Sequence, residues 1–75
     1  MNFYDIVHEI ARKNGMSLEK LSVCIGRSET YLASSKSRGS LPKINNAAKI
    51  ANACGYTLCM VPSNKVPKDA IVIEE

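Results

Sequence analysis

The sequence predicts a mainly helical domain followed by a short β extension. Capping residues and helical spacing of apolar residues mark four segments before residue 56, and a glycine follows each segment. After that point the pattern changes to the β-rich runs "YTLCMV" and "AIVI". A chain of 75 residues forms one domain. The expected fold is a bundle of four to five short helices with a β extension at about residues 56–61 and 70–73.

The first two helices are predicted by their capping residues and by the apolar positions between them. Asn2 is the expected N-cap of the first helix, and Gly15 its stop. Ser17 is the expected N-cap of the second helix, which Gly26 ends after two turns. The core-facing positions are expected to be Phe3, Ile6, Val7, Ile10 and Ala11, followed by Leu18, Leu21, Ser22 and Ile25.

The third helix is predicted over the segment "ETYLASSK". Ser28 is a candidate N-cap, and Glu29 suits the positive N-terminal end of a helix. Leu32 is the main residue that can anchor this helix to a core. Most of its other side chains are therefore expected to face outward.

A fourth helix and two short strands complete the expected fold. Ser40 and Pro42 mark the start of the helix, and Gly55 its stop. Its apolar stripe is expected to consist of Ile44, Ala47, Ala48, Ile50, Ala51 and Cys54. Two short strands are marginal in water by themselves. They need a helix face, or a second copy of the protein, to cover them.

Composition restricts the compartment and the chemistry. Cys24, Cys54 and Cys59 lie in apolar surroundings without a CxxC motif, so buried thiols in a reducing compartment are expected rather than a metal site. No apolar run approaches the length of a membrane span, and the N-terminal segment lacks the pattern of a signal peptide. A cytoplasmic protein is therefore expected. The chain shows no Ser, His and Asp set and no phosphate-binding glycine loop, so neither an enzyme nor a cofactor is expected.

Positive charge is concentrated in the middle of the chain, although the formal net charge is only +3. Between residues 27 and 49, Glu29 is the one acidic residue. The same interval holds five basic residues: Arg27, Lys36, Arg38, Lys43 and Lys49. One electropositive face is expected, which favours a polyanionic partner. A merely solvated surface would also carry lysines, so this alternative stays open.

The stretch "LSVCIGRSETYLASSKSRG" at residues 21–39 has the pattern of a helix-turn-helix, with Gly26 supplying the tight turn. The residues "SLEKLSVCIGRSETYL", then Pro42 and "KIANACGY", resemble the lambda repressor and Cro-like (XRE-type) family of regulators. Ser22 takes the family's small position in the middle of helix two. The resemblance covers roughly residues 3–56. It implies a sequence-specific regulator of double-stranded DNA, a homodimeric repressor on a palindromic operator, with the helix at about 28–36 in the major groove.

The resemblance also implies which residues contact DNA. The base-reading positions of the family fall on Ser28, Glu29, Thr30 and Ser34. Phosphate contacts are expected around that helix and the following loop, from Arg27, Tyr31, Lys36, Arg38, Ser40 and Lys43. Alternatives remain for four of them. Ser28 can serve only as a cap, and Glu29 only as a complement to the helix dipole. Ser34 can be simply a small exposed residue, and Tyr31 can lie in the core with a wet edge.

Residues 56–75 are interpreted as a dimerisation element, because open strand edges invite a partner and paired half-sites on DNA favour two copies. The candidates for this contact are Leu58, Met60, Ile71 and Ile73. The alternative is an intramolecular hairpin that covers the chain's own helices. Two other functions stay open: an antitoxin-type autorepressor that binds a toxin, and a protein-interaction adaptor that does not bind DNA.

Overall fold

Four helices and a two-stranded sheet follow one another along the chain. The computed structural model describes residues 1–64 and 70–75. The elements are α1 (Phe3–Lys13), α2 (Leu18–Cys24), α3 (Tyr31–Arg38), α4 (Ile44–Ala53), β1 (Cys59–Met60) and β2 (Ile71–Val72). The strands pair antiparallel, with Cys59 opposite Val72 and Met60 opposite Ile71. The prediction of a mainly helical chain with a small β extension is confirmed for the described residues.

Local side-chain hydrogen bonds determine where α1 and α2 begin. The Asn2 side-chain oxygen accepts from the Asp5 amide at 3.0 Å, and the Asp5 carboxylate accepts from the Asn2 amide at 3.1 Å. At the start of α2, Ser17 Oγ accepts from the Lys20 amide at 3.0 Å. These bonds satisfy amides that have no partner within the helix. The N-caps predicted at Asn2 and Ser17 are therefore confirmed.

The start of α3 differs from the prediction. The helix begins at Tyr31, and Thr30 occupies the N-cap position without a side-chain capping bond. The N-cap predicted at Ser28 is wrong, and Glu29 precedes the helix instead of lying in its first turn. The physical reason is a hydrogen bond that the Leu32 amide, in the first turn of α3, donates to the Ser22 hydroxyl of α2. The local sequence of α3 does not reveal this bond.

The start of α4 also lies later than predicted. The helix begins at Ile44, with Lys43 at the N-cap position. Ser40 instead belongs to the end of α3, because its amide and its hydroxyl both donate to the Ser35 carbonyl at 3.3 Å. Pro42 lies in the loop between the two helices.

The core is formed by one side of each helix. Its buried apolar residues are Tyr4, Val7, Ala11, Leu21, Ile25, Leu32, Ala47, Ala48 and Ile50. Ile6 and Ile44 were expected in the core but are exposed. In α1 the buried side is rotated to include Tyr4, whose ring fills the core while its hydroxyl end lines a polar cavity. Ile44 is the first residue of α4 and lies beyond the core.

The strands are shorter than the predicted runs at 56–61 and 70–73. Each strand contains two paired residues. One further hydrogen bond, from the Ile73 amide to the Leu58 carbonyl at 2.8 Å, extends the pairing. A ribbon of two strands has too few neighbours to stabilise a longer ladder. Residues 65–69, in the expected loop between the strands, lie outside the described residues.

The prediction that all three cysteines are buried is wrong for two of them. Cys24 and Cys59 are exposed free thiols, because Cys24 ends α2 and Cys59 lies in the open ribbon. Cys54 is half-buried against the core, and this burial raises the pKa of its thiol.

The described residues were compared with the requirements of a metal site and of a membrane-spanning helix. Within residues 1–64 and 70–75, no three His, Cys, Asp or Glu side chains are grouped as a metal site requires. In the same part of the chain, none of the helices has the length and apolar character needed to cross a membrane.

Candidate nucleic-acid interface

A tight turn at Gly26 separates α2 from α3. The Gly26 amide donates to the Val23 carbonyl at 3.0 Å, and the Arg27 amide donates to the Ser22 carbonyl at 2.9 Å. This pair of bonds is the Schellman motif, which requires a left-handed residue just after the helix. Gly26 has a φ of +79°, and a Cβ added there would meet nothing within 4 Å. Glycine is therefore needed for its backbone conformation and not for space.

Ser22 connects α2 to α3 through its buried side chain. Its Oγ donates to the Leu18 carbonyl at 2.7 Å and accepts from the Leu32 amide at 3.2 Å. The Leu32 amide lies in the first turn of α3, where amides have no partner within the helix. Thr30 makes no side-chain capping bond. Ser22 therefore caps α3 from the neighbouring helix, and this bond sets the start of α3.

One side of α3 faces the core and the other is open. Leu32 and Ser35 are 1% and 2% exposed and hold the helix in place. The open side carries small residues at the spacing i, i+3, i+4 and i+7, here called the α3 stripe: Thr30, Ala33, Ser34 and Ser37. With Arg38, they line an open depression of about 390 Å³. Hydroxyl and methyl groups of this size can contact base edges and the thymine methyl in a major groove.

The predicted base-contacting residues fall into two pairs. Thr30 and Ser34 belong to the α3 stripe. Ser28 and Glu29 are exposed in the turn that precedes α3, where the Ser28 carbonyl accepts from the Tyr31 amide at 3.1 Å. Both of these residues adjoin the first turn of the helix, but they are not part of its open face.

A cavity rich in positive charge adjoins the α3 stripe. We call it the cationic cavity; its volume is about 550 Å³. Its charged lining residues are Arg27, Arg38, Lys43, Lys49 and Glu75. Its polar lining residues are Tyr4, Tyr31, Ser35, Ser40, Asn45 and Asn46. Among the described lining residues, four cations against one acidic residue favour an anion, and hydroxyls and amides add hydrogen-bond donors. Arg38 lines both the cavity and the depression along the α3 stripe, so the two surfaces are contiguous.

Tyr31 organises one wall of the cationic cavity. The Asn46 side-chain amide donates to the Tyr31 hydroxyl at 2.9 Å and thereby joins α4 to α3. The Arg27 guanidinium lies over the Tyr31 ring, 4.9 Å from its centroid. This cation–π contact restricts the arginine while leaving its N–H groups available to an anion. Tyr31 is half-buried and so belongs both to the edge of the core and to the cavity.

Tyr4 contributes a hydroxyl from the buried side of the cavity. Burial, and then the neighbouring Tyr31 hydroxyl, raises the pKa of Tyr4 above its ordinary value of 10.0. The Tyr4 hydroxyl is therefore protonated at neutral pH, and it can donate a hydrogen bond to an anion without adding negative charge.

The six predicted phosphate-contacting residues do not all meet in the cationic cavity. Five of them line it: Arg27, Tyr31, Arg38, Ser40 and Lys43. Lys36 instead points to α1, where its Nζ lies 3.9 Å from Asp5 Oδ1. This ion pair is about one-third exposed, so it is a weak restraint that a competing anion can replace.

Sequence reasoning assigned no DNA contact to several residues of this interface, and four of them show why. Ala33 and Ser37 belong to the α3 stripe, and their helical spacing from Thr30 was available as a signal. Asn45 and Lys49 line the cationic cavity and stand four residues apart on α4. Their spacing indicates a shared side of the helix, but only the folded chain shows that this side meets α3.

The four predicted dimerisation residues share one face of the β ribbon, a name we use for residues 58–60 and 71–73. The ladder pairs Met60 with Ile71 and, two pairs further on, Leu58 with Ile73, so all four side chains lie on the same face. Leu58 and Ile73 are half-buried, whereas Met60 and Ile71 are 67% and 72% exposed. This face is therefore covered at its Leu58 end and open at its Met60 end.

Comparison of the chain with protein-family models, with curated proteins and with solved structures gives no match. The function of the interface is therefore inferred from the α3 stripe and the cationic cavity themselves.

Proposed function

We propose that this protein is a sequence-specific regulator of transcription that binds double-stranded DNA through a lambda repressor-like helix-turn-helix. In this proposal α3 enters the major groove, and the α3 stripe contacts base edges. The observation that carries the proposal is the contiguity of the α3 stripe with the cationic cavity at Arg38. A duplex presents base edges beside backbone phosphates, and these two surfaces match that arrangement.

The cationic cavity supplies the affinity that does not depend on sequence. Arg27 and Arg38 flank α3, while Lys43 and Lys49 approach from the loop and from α4. A phosphate held among these side chains fixes the position of α3 along the groove. The small residues of the α3 stripe then let the helix backbone come close to the bases. Affinity and sequence preference are thus assigned to neighbouring but separate groups.

A homodimer on a palindromic operator is part of the proposal. One helix of this length reads a single short half-site, and two copies place their helices about one DNA turn apart. The exposed side chains of Met60 and Ile71 support a second copy as the partner of the β ribbon, because open strand edges and apolar faces favour association. A dimer bound to its operator then represses transcription by occluding a promoter. A cytoplasmic location is part of the proposal.

The proposal is tested by selecting bound duplexes from a random pool and measuring affinity for the selected site and for a random duplex. We expect an enriched, two-fold symmetric site, and log affinity that falls with log salt by about 0.9 per neutralised phosphate. Ser34→Ala should weaken binding to the selected site alone, by about 1–3 kcal/mol. Lys43→Ala should weaken both duplexes together.

Lys13→Ala is the matched control for Lys43→Ala, because it removes the same charge from an exposed position at the end of α1. It should leave both affinities nearly unchanged. Absence of duplex binding at low ionic strength would refute the proposal. Binding of a protein partner with little salt dependence would favour the adaptor instead.

A further inference from the structure

The side chain of Glu75 reaches the cationic cavity from the C-terminal segment. Its Oε2 accepts a hydrogen bond from the Asn52 side-chain amide at 2.8 Å, and Glu75 also lines the cavity. Among the residues that the structure describes, Glu75 is the one acidic residue that lines this cavity, whose other charged lining residues are cations. A carboxylate oxygen in this place is chemically similar to the phosphate oxygen that the cavity is suited to bind.

The position of Asn52 explains how the carboxylate is held there. Asn45, Lys49 and Asn52 follow one another at helical spacing along a single side of α4. The first two line the cationic cavity, and Asn52 continues the row by one further turn. The Asn52–Glu75 hydrogen bond therefore fastens the C-terminal segment along the side of α4 that forms the cavity wall.

We propose that Glu75 is a built-in competitor that occupies the cationic cavity until a phosphate group displaces it. The inference rests on the proposed function, whose phosphate site it regulates. Glu75 and Asn52 are both exposed, so a single solvent-accessible hydrogen bond holds the carboxylate and its release is inexpensive. Every anion that enters the cavity must first displace the carboxylate, so Glu75 lowers the apparent affinity of the cavity for all of them by the same factor.

The test compares the full chain with Glu75→Gln, Asn52→Ala and Glu74→Gln. Glu75→Gln removes the competing charge, and Asn52→Ala removes the group that fastens it. Glu74→Gln is the matched control, because it removes the same charge one residue away, and Glu74 does not line the cavity. Thermal unfolding of each variant shows that the fold is kept.

In the first arm, inorganic pyrophosphate is titrated while the amide NMR signals of the α3–α4 loop are followed. We expect Glu75→Gln and Asn52→Ala each to tighten binding by roughly two- to fivefold, the range of exposed ion pairs, and Glu74→Gln to leave it close to wild type. The difference should shrink as salt is raised, because exposed charges are screened.

In the second arm, the same four proteins are titrated with a random-sequence duplex, and the same order of affinities is expected. Equal effects of Glu75→Gln and Glu74→Gln in both arms would overturn the inference, because the effect would then be one of net charge. If no protein binds duplex but Glu75→Gln still tightens pyrophosphate binding, the proposed function fails, whereas the competitor role for phosphate stands.

Discussion

The α2–α3 pair and the β ribbon leave two different kinds of surface open. In the α2–α3 pair the apolar anchor Leu32 is buried and the Ser22 hydroxyl is satisfied, so the open side presents small, mostly polar residues. In the β ribbon the apolar side chains of Met60 and Ile71 are themselves exposed. The first region is complete as a fold and suits a polar ligand. The second gains free energy only when its apolar surface is covered, as the proposed second copy would cover it.

The largest expected difference between the two regions is in the free energy of unfolding that Leu32→Ala and Ile71→Ala remove. Leu32 is 1% exposed and anchors α3, so its truncation leaves a cavity and should lower the free energy of unfolding by about 2–5 kcal/mol. Ile71→Ala, at a residue that is 72% exposed, should change the stability of the monomer by less than about 0.5 kcal/mol. Urea unfolding at low protein concentration measures both. Similar losses would mean that the ribbon is part of the core.

Ser22→Ala tests the hydrogen bond from the Leu32 amide to the Ser22 hydroxyl, which joins α3 to α2. The substitution leaves the Leu32 amide without its acceptor, so we expect a loss of about 1–3 kcal/mol in the free energy of unfolding. Ser28→Ala removes a hydroxyl from the predicted cap, which the structure does not use, and should cost less than about 0.5 kcal/mol. The comparison fails if Ser28→Ala proves the more damaging of the two.

Met60→Lys tests the apolar face of the β ribbon. Placing a charge on this face should weaken self-association by at least about tenfold while leaving monomer stability nearly unchanged. Val23→Lys is the control, because Val23 is an exposed apolar residue of α2 outside the ribbon. Sedimentation equilibrium measures the dimer constant. A monomeric wild-type protein at high concentration would remove the ribbon as a dimer contact.

The raised pKa of Tyr4 predicts a smaller effect on the stability of the helical region, and this effect depends on pH. Burial raises the pKa of Tyr4 above 10.0, so its neutral form is favoured in the folded protein. The stability that the Tyr4 hydroxyl contributes is fully present below about pH 10. It is lost as the pH rises through the pKa of the folded state, because Tyr4 loses its proton at a lower pH in the unfolded chain. Stability of Tyr4→Phe should fall less steeply above pH 10 than that of wild type.

The measurement for Tyr4 is the difference between the two proteins in denaturant unfolding from pH 8 to 11. Cys54 also has a raised thiol pKa and adds an alkaline loss of the same sign. Because Cys54 is present in both proteins, its contribution cancels in the difference. Parallel curves for wild type and Tyr4→Phe would show that the hydroxyl is not desolvated by folding.

Elements of the fold were predictable from the sequence where their determinants are local. The caps at Asn2 and Ser17 involve residues three positions away, so the sequence pattern contains the whole interaction. The start of α3 was not predictable in this way, because its cap comes from Ser22, ten residues from Leu32. Likewise, the burial of Tyr4 depends on core residues of the other helices, such as Leu32, which no spacing within α1 describes.

The candidate site was predictable to a similar degree. A concentration of basic residues and hydroxyls indicated the part of the chain that holds the α3 stripe, and most of the expected phosphate contacts line one cavity. The position of Lys36 beside Asp5 and of Glu75 beside Asn52 depends on contacts between distant segments. Sequence alone therefore identified the types of side chain, whereas the folded chain decides which of them converge.

The division of α3 into an anchored side and a side of small residues means that its open side can change without loss of the fold. Thr30, Ala33, Ser34 and Ser37 are exposed or half-buried, and the helix is fixed by Leu32 and by the Ser22 cap. Exchanging stripe residues therefore alters the chemical groups offered to bases at little expense to folding. In the proposed DNA-binding function, such a helix would be retargeted to new half-sites one side chain at a time, while the scaffold behind it stays constant.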